Sequence, residues 1–171
     1  LVITSLNAWC NIKLPWDSLF TAYGLTQSMT QIPILIIKTR DARHETQDAR
    51  HEMQNTLDTK LSLEKLDIRY NDGYCVGLWR LTPPIARLYG LTINNEIDER
   101  YDIRLASEAA AKYLKDLLAH YGNEQVAMLA YIHGAALVVE TAKALNIDLQ
   151  NVTDEEIKKI ENRVQSTDNK V

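Results

Sequence analysis

Apolar positions along this chain recur at steps of three and four residues, the spacing of helices, and seldom at the alternating spacing of strands. The pattern is clearest after Asn123, where one face carries Val126, Leu129, Ala130, Ala136, Leu137 and Ala144. We therefore predict an all-α fold. The 171 residues are enough to bury one core, and no linker-like stretch divides them, so we predict a single domain over 1–171.

Start and stop signals predict where the helices lie. Gly24 and Gly122 are natural left-handed stops, and Thr153 with Glu156 forms the pattern of a capping box. Ser107 is a good N-cap residue. The predicted helical segments are 15–24, a buried helix from about 32, 78–89, 107–121, 123–144 and a last helix from 153.

A seven-residue repeat stands between the second and third predicted helices. Asp-Ala-Arg-His-Glu-Thr-Gln at 41–47 is followed at once by Asp-Ala-Arg-His-Glu-Met-Gln at 48–54. A thin apolar stripe on a charged helix predicts an atypical helical insertion over about 38–66. His44, Asp48 and His51 share one face of that helix, which is the arrangement of a metal site. A solvated polar face explains these three residues better, and we predict no metal.

Charge, the length of the apolar runs and the cysteine count bear on the classes of partner and compartment that the sequence allows. The net charge is −4 with dispersed acids, which argues against nucleic acid as a partner. The longest apolar run, Ile32 to Ile37, is too short to cross a bilayer. Because the chain begins at Leu1, we expect that an upstream segment has been removed. Cys10 and Cys75 fit one disulfide or two unpaired thiols equally well.

Five short motifs suggest a family. They are Gly-Leu-Trp-Arg-Leu-Thr-Pro at 77–83, Tyr-Gly-Leu at 89–91, Asp-Glu-Arg at 98–100, Ala-Ala-Ala-Lys-Tyr-Leu at 109–114 and Ala-Tyr-Ile-His-Gly at 130–134. Together, over 77–134 and without a gap, they resemble the lytic transglycosylases of the membrane-bound D type. The resemblance implies a lysozyme-like helical domain that binds peptidoglycan glycan strands in the bacterial periplasm or cell envelope. It also implies one catalytic glutamate and no cofactor.

Two alignments compete for the position of that glutamate, which protonates the leaving oxygen of the glycosidic bond. The family carries it in a Leu-Pro-x-x-Glu-Ser signature about fifteen residues before Gly-Leu-Trp. If Pro33 is the anchor, the acid is replaced by Ile36 and the domain is degenerate. If distance is the anchor, Glu64 is the acid, although its neighbours do not reproduce the signature. The Pro33 alignment matches residue types as well as spacing, and we favour it.

Other departures from the family pattern affect the same site. Arg80 replaces a glutamine and Ile132 replaces an asparagine, both polar groups near the glycan cleft in relatives. The resemblance makes Tyr131 a support for the acid, while a core aromatic is the alternative. It makes Arg80, Tyr89 and His133 candidate substrate contacts.

Three functional hypotheses follow. The first is a degenerate lytic-transglycosylase domain that keeps a glycan groove or serves as an envelope scaffold. The second is an active enzyme with Glu64 as its acid, which would cleave the bond between N-acetylmuramic acid and N-acetylglucosamine. The third is an interaction module whose repeat helix binds an envelope protein.

Overall fold

The structure is a computed structural model that describes residues 14–36 and 71–168. The repeat at 41–54, the predicted insertion over 38–66, Glu64 and Cys10 lie outside the described residues. Of the two candidate acid positions, the structure therefore describes only Ile36.

Helices account for most of the described residues, and the predicted all-α class is confirmed. They are α1 (Asp17–Ala22), α2 (Gln27–Thr30), a helical stretch at 32–36, α3 (Pro83–Leu88), a 3-10 turn (Glu99–Tyr101), α4 (Ile103–Tyr121), α5 (Glu124–His133), α6 (Ala135–Ala144) and α7 (Asp154–Asp168). Over the two described ranges, extended pairing is limited to isolated bridges: Asn71 with Val76, Val76 with Leu81, and Ile93 with Asp98.

Helix α4 is the central element, and it packs against α5, the 3-10 turn, α1 and α3. The predicted N-cap at Ser107 is wrong, because Asp102 caps the helix by accepting a hydrogen bond from the Leu105 amide at 2.8 Å. Ser107 lies inside the helix and is buried. The predicted stop is confirmed: Gly122 adopts φ 66° and its amide donates to Leu118.

The single helix predicted over 123–144 is two helices. Asn123 caps α5 by accepting from the amides of Gln125 and Val126 at 2.9 and 3.1 Å. Gly134, with φ 91° and ψ 134°, ends α5, and α6 continues at 115° to it. Among the described helices none alone has the length and apolar composition of a membrane span, and α5 and α6 reach it only as this bent pair.

The helix predicted over 78–89 begins five residues late, at Pro83. Residues 77–80 form turns instead, and Leu81 pairs with Val76. Proline favours the first turn of a helix and disfavours a helical residue before it, so Pro83 and Pro84 start α3 rather than continue a helix from Leu78.

One hydrophobic core joins the N-terminal helices to the rest. Alanines on the inner face of α4 let α5 approach closely, and α5 contributes five consecutive buried residues, Val126 to Ala130. The capping box that starts α7 is confirmed, because Glu156 Oε2 accepts from the Thr153 amide at 2.9 Å. Thr26 ties α2 to α5 by donating to Glu124 Oε1 at 2.6 Å.

Candidate functional site

Trp79 is the centre of the region that the five motifs build. Its side chain is completely buried, and its indole Nε1 donates to Ser107 Oγ at 2.7 Å. The rings of Trp16 and Phe20 pack on it at centroid distances of 5.5 and 5.1 Å. Trp79 is therefore a core residue, and its ring is not available to stack on a sugar.

The hydroxyl of Tyr131 donates to the backbone carbonyl of Trp79 at 2.9 Å. Burial raises the pKa of Tyr131 well above its usual value, so the hydroxyl keeps its proton at every physiological pH. This bond joins α5 to the turn at 77–80 across 52 positions of sequence. The predicted alternative of a core aromatic with a satisfied hydroxyl describes this geometry, and the bond fixes the carbonyl directly before Arg80.

The turn at 77–80 is held from its other side by Arg100. Gly77 has φ 73°, and a Cβ on it would overlap the carbonyl oxygen of Arg100. The Arg100 guanidinium is buried and forms an ion pair with Asp98 at 2.7 Å. It also donates to the carbonyls of Tyr74 and Leu81 at 2.9 and 3.0 Å. The Asp-Glu-Arg motif therefore holds its loop by an ion pair and by hydrogen bonds to backbone carbonyls.

Arg80 is half-buried and has φ 52°, an uncommon conformation for a residue with a side chain. Such strain persists where the surrounding structure fixes the backbone, and here Tyr131 and Arg100 fix it. The Arg80 charge lowers the pKa of the Cys75 thiol, although burial and Asp72 outweigh it and raise that pKa overall. Cys75 is a free, half-buried thiol.

The remaining predicted site residues lie at different distances from this centre. His133 is half-buried at the C-terminus of α5, two residues after Tyr131, and Ile132 packs against the core. Tyr89 packs against the ring of Tyr113, which in turn packs against the ring of Tyr131. Its hydroxyl donates to Asp116 Oδ2 at 2.8 Å, and burial and that carboxylate raise its pKa.

The residue at the position that the Pro33 alignment assigns to the acid, Ile36, has a hydrocarbon side chain. Ile36 is half-buried, packs on the core and is the last described residue of the helical stretch at 32–36, in which residues 32–35 are buried. Gln31 precedes this stretch with 1% of its surface exposed, and none of the described residues donates a hydrogen bond to its Oε1.

Among the described residues, sequence reasoning missed four buried polar side chains: Thr30, Gln31, Thr141 and Glu161. Glu161 lies on the inner face of α7 with 1% of its surface exposed, among the fully buried Ile157, Ile160 and Val164. Glu161 shares the three- and four-residue spacing of these apolar residues, and that spacing could have predicted its burial. No cluster of three metal-binding side chains occurs within the described ranges, and His44, Asp48 and His51 lie outside them.

Comparison with known proteins identifies the domain. Residues 69–148 match the family model described as the transglycosylase SLT domain. No curated protein and no solved structure is significantly similar to the chain. The matched range contains all five motifs, the Trp79 centre and helices α3 to α6. The match supports a lytic-transglycosylase-like, lysozyme-like domain over these residues, and it suggests a function related to peptidoglycan.

Proposed function

We propose that this domain is a degenerate lytic transglycosylase, which binds peptidoglycan strands or acts as a scaffold in the bacterial periplasm or cell envelope without cleaving glycan. The hydrocarbon side chain of Ile36, packed on the core at the favoured acid position, carries the proposal. In relatives the matching tyrosine supports the catalytic acid, whereas here its proton holds a core turn. Ile36, at the favoured acid position, has no proton to deliver to a leaving oxygen.

Glycan contacts are proposed at Arg80, His133 and Tyr89. Arg80 follows a carbonyl that is fixed by hydrogen bonding, so its backbone is preorganised and little ordering would be needed on binding. His133 is two residues beyond Tyr131 on the neighbouring helix end. The Tyr89 ring lies beside the Asp116 carboxylate. The ring suits stacking on the face of a sugar, and the carboxylate suits accepting hydrogen bonds from sugar hydroxyls.

Activity with Glu64 as the acid is the alternative, and one feature of Tyr131 favours it. A tyrosine hydroxyl that donates once still has lone pairs that accept hydrogen bonds. Its oxygen would accept from a protonated carboxyl group, the state that a general acid needs before reaction.

Digestion of purified sacculi separates the two proposals. We expect no anhydro-muropeptides from the wild-type protein, measured by liquid chromatography and mass spectrometry with an active lytic transglycosylase as the positive control. Robust release of these products would overturn the degenerate assignment. If release occurs, Glu64→Gln should abolish it under the alternative, and an unchanged rate would eliminate Glu64 as the acid.

Co-sedimentation with sacculi tests glycan binding directly. Arg80→Ala and Tyr89→Ala should each reduce the bound fraction. Lys158→Ala, an exposed cation on α7, is the matched control and should bind as wild type does. Equal binding by all four proteins would remove Arg80 and Tyr89 from the proposed contact surface.

A role in protein interaction is proposed only for the repeat at 41–54, whose duplicated sequence has no counterpart in the family motifs. Deleting residues 41–54 should abolish capture of an envelope protein partner by the purified protein, while the circular-dichroism spectrum keeps its helical form. Undiminished capture by the deletion variant would rule this role out.

A further inference from the structure

Four aromatic rings form a continuous row from the core to the surface. Trp79 contacts Tyr131 at a centroid distance of 6.5 Å, Tyr131 contacts Tyr113 at 5.3 Å, and Tyr113 contacts Tyr89 at 5.4 Å. The hydroxyl of Tyr131 is also bonded to the backbone of Trp79. At such separations an electron passes readily between neighbouring rings, because their π-systems are nearly in contact.

The two ends of the row, Trp79 and Tyr89, differ in burial and in the group that accepts the hydrogen bond from each side chain. Trp79 is completely buried and its Nε1 donates to the neutral hydroxyl of Ser107. Tyr89 is partly exposed, and its hydroxyl donates to the carboxylate of Asp116, which is itself exposed.

This difference in proton acceptor determines which side chain of the row ends as the stable radical. A phenol that loses an electron becomes a very strong acid, so its oxidation is easy only where a base can take the proton. The Tyr131 proton faces an amide carbonyl, which is a very weak base. The Tyr89 proton faces a carboxylate at 2.8 Å. Tyr89 is therefore the favoured end point, although Tyr131 is closer to Trp79.

We propose that this row is a path for oxidising equivalents, which moves the electron hole left on Trp79 by a one-electron oxidant, such as a carbonate radical, to Tyr89 at the surface. An electron from Tyr89 passes through Tyr113 and Tyr131 and reduces the Trp79 radical cation to tryptophan. The phenolic proton of Tyr89 moves to the Asp116 carboxylate, leaving a neutral tyrosyl radical and a carboxylic acid. Charge and electrons balance, and the buried indole is restored.

Photoionisation tests the path, because ultraviolet light removes an electron from a buried tryptophan without requiring an oxidant to reach it. The full-length protein is irradiated with hexaamminecobalt(III) as the electron scavenger and a nitroso spin trap in solution. Trapped tyrosyl adducts are then located by mass spectrometry of peptides. We expect the adduct at Tyr89, and not at the more exposed Tyr74 or at Tyr101, which lie outside the row.

Two variants separate the path from simple exposure. Tyr113→Phe keeps the ring but raises its oxidation potential, so the Tyr89 adduct should fall to the level found at Tyr101. Asp116→Asn removes the proton acceptor and should slow the rise of tyrosyl absorbance after the flash. Tyr101→Phe is the control and should leave the Tyr89 adduct unchanged.

Equal Tyr89 labelling in wild type and Tyr113→Phe would overturn the proposal, as would labelling spread over exposed tyrosines in proportion to their exposure. If Trp79→Phe still folds, loss of the Tyr89 adduct supports Trp79 as the source of the hole. If Trp79→Phe does not fold, the Tyr113→Phe comparison remains decisive, because that side chain loses only its hydroxyl.

Discussion

Gly77 shows how one residue determines the geometry of the site. Its φ of 73° and its contact with the Arg100 carbonyl both exclude a side chain, so the turn that positions Trp79 and Arg80 depends on glycine. Gly73 also has a positive φ, of 92°, but a Cβ there meets nothing within 4 Å. The two positions therefore separate backbone strain from steric overlap.

Alanine at each glycine measures this difference. Gly73→Ala should cost about 1–2 kcal/mol through backbone strain alone. Gly77→Ala should cost about 3 kcal/mol or more, because overlap with Arg100 is added to that strain. Urea unfolding gives both free energies, and equal losses at the two positions would contradict the close approach of Gly77 to Arg100.

The ion pair of Asp98 with Arg100 makes stability depend on pH. Hydrogen bonding to Arg100 lowers the pKa of Asp98 in the folded state, relative to about 3.9 in an unfolded chain. The stabilisation is therefore complete above the unfolded pKa and is lost as the pH falls through the lower folded pKa.

Asp98→Asn should remove this dependence. Between about pH 5 and pH 2 the urea midpoint of the wild type should fall more steeply than that of the variant. Carboxylates elsewhere with lowered pKa values, such as Glu156, titrate in both proteins and cancel in the comparison. Parallel midpoints across this range would show that the pair contributes nothing to folding.

At the scale of elements, one hydroxyl joins the motif turn to the central helix. Ser107 on α4 accepts the Trp79 indole hydrogen at a completely buried position. Ser107→Ala would leave that N–H without an acceptor, so we expect a loss of about 1–3 kcal/mol in unfolding free energy.

Ser166→Ala is the matched control, because its hydroxyl donates to the carbonyl of Arg163 on an exposed face of α7. It should change stability by no more than about 0.5 kcal/mol. Tryptophan fluorescence should shift only in the Ser107 variant, because the Ser107 hydroxyl contacts the Trp79 indole and the Ser166 hydroxyl bonds to the Arg163 carbonyl. A red shift in both variants would mean that the effect is not local to Trp79.

At the scale of the whole molecule, α7 completes a core that begins with α1. Ile160 is fully buried on α7, and Trp16 and Phe20 belong to the same hydrophobic cluster. Ile160→Ala should cost about 2–5 kcal/mol, whereas Ile103→Ala, at a side chain 40% exposed, should cost far less. Far-ultraviolet circular dichroism and tryptophan fluorescence should report the same midpoint for Ile160→Ala, as a single cooperative unit requires. Separate midpoints would divide the core into independent parts.

Local signals in the sequence predicted features that depend on a few neighbouring residues. The stop at Gly122, the Thr153 and Glu156 capping box and the helical class are of this kind, because hydrogen bonds within one turn determine them. The break at Gly134 was missed, since the apolar periodicity continues through it and only the glycine conformation interrupts the helix. The late start of α3 was missed although Pro83 and Pro84 signal it in the sequence, because proline favours the first turn of a helix.

The sequence by itself determined the helical class, some of the helix ends and the family motifs, because each of these is encoded in residue types at short spacing. Tertiary structure decided what the motif residues do. It brings Tyr131 to the Trp79 carbonyl across 52 residues, and it buries Trp79, whose indole hydrogen Ser107 accepts. It also lines up Tyr113 and Tyr89 toward Asp116. Such contacts join residues far apart in the chain, where neither periodicity nor spacing carries information about which partners will meet.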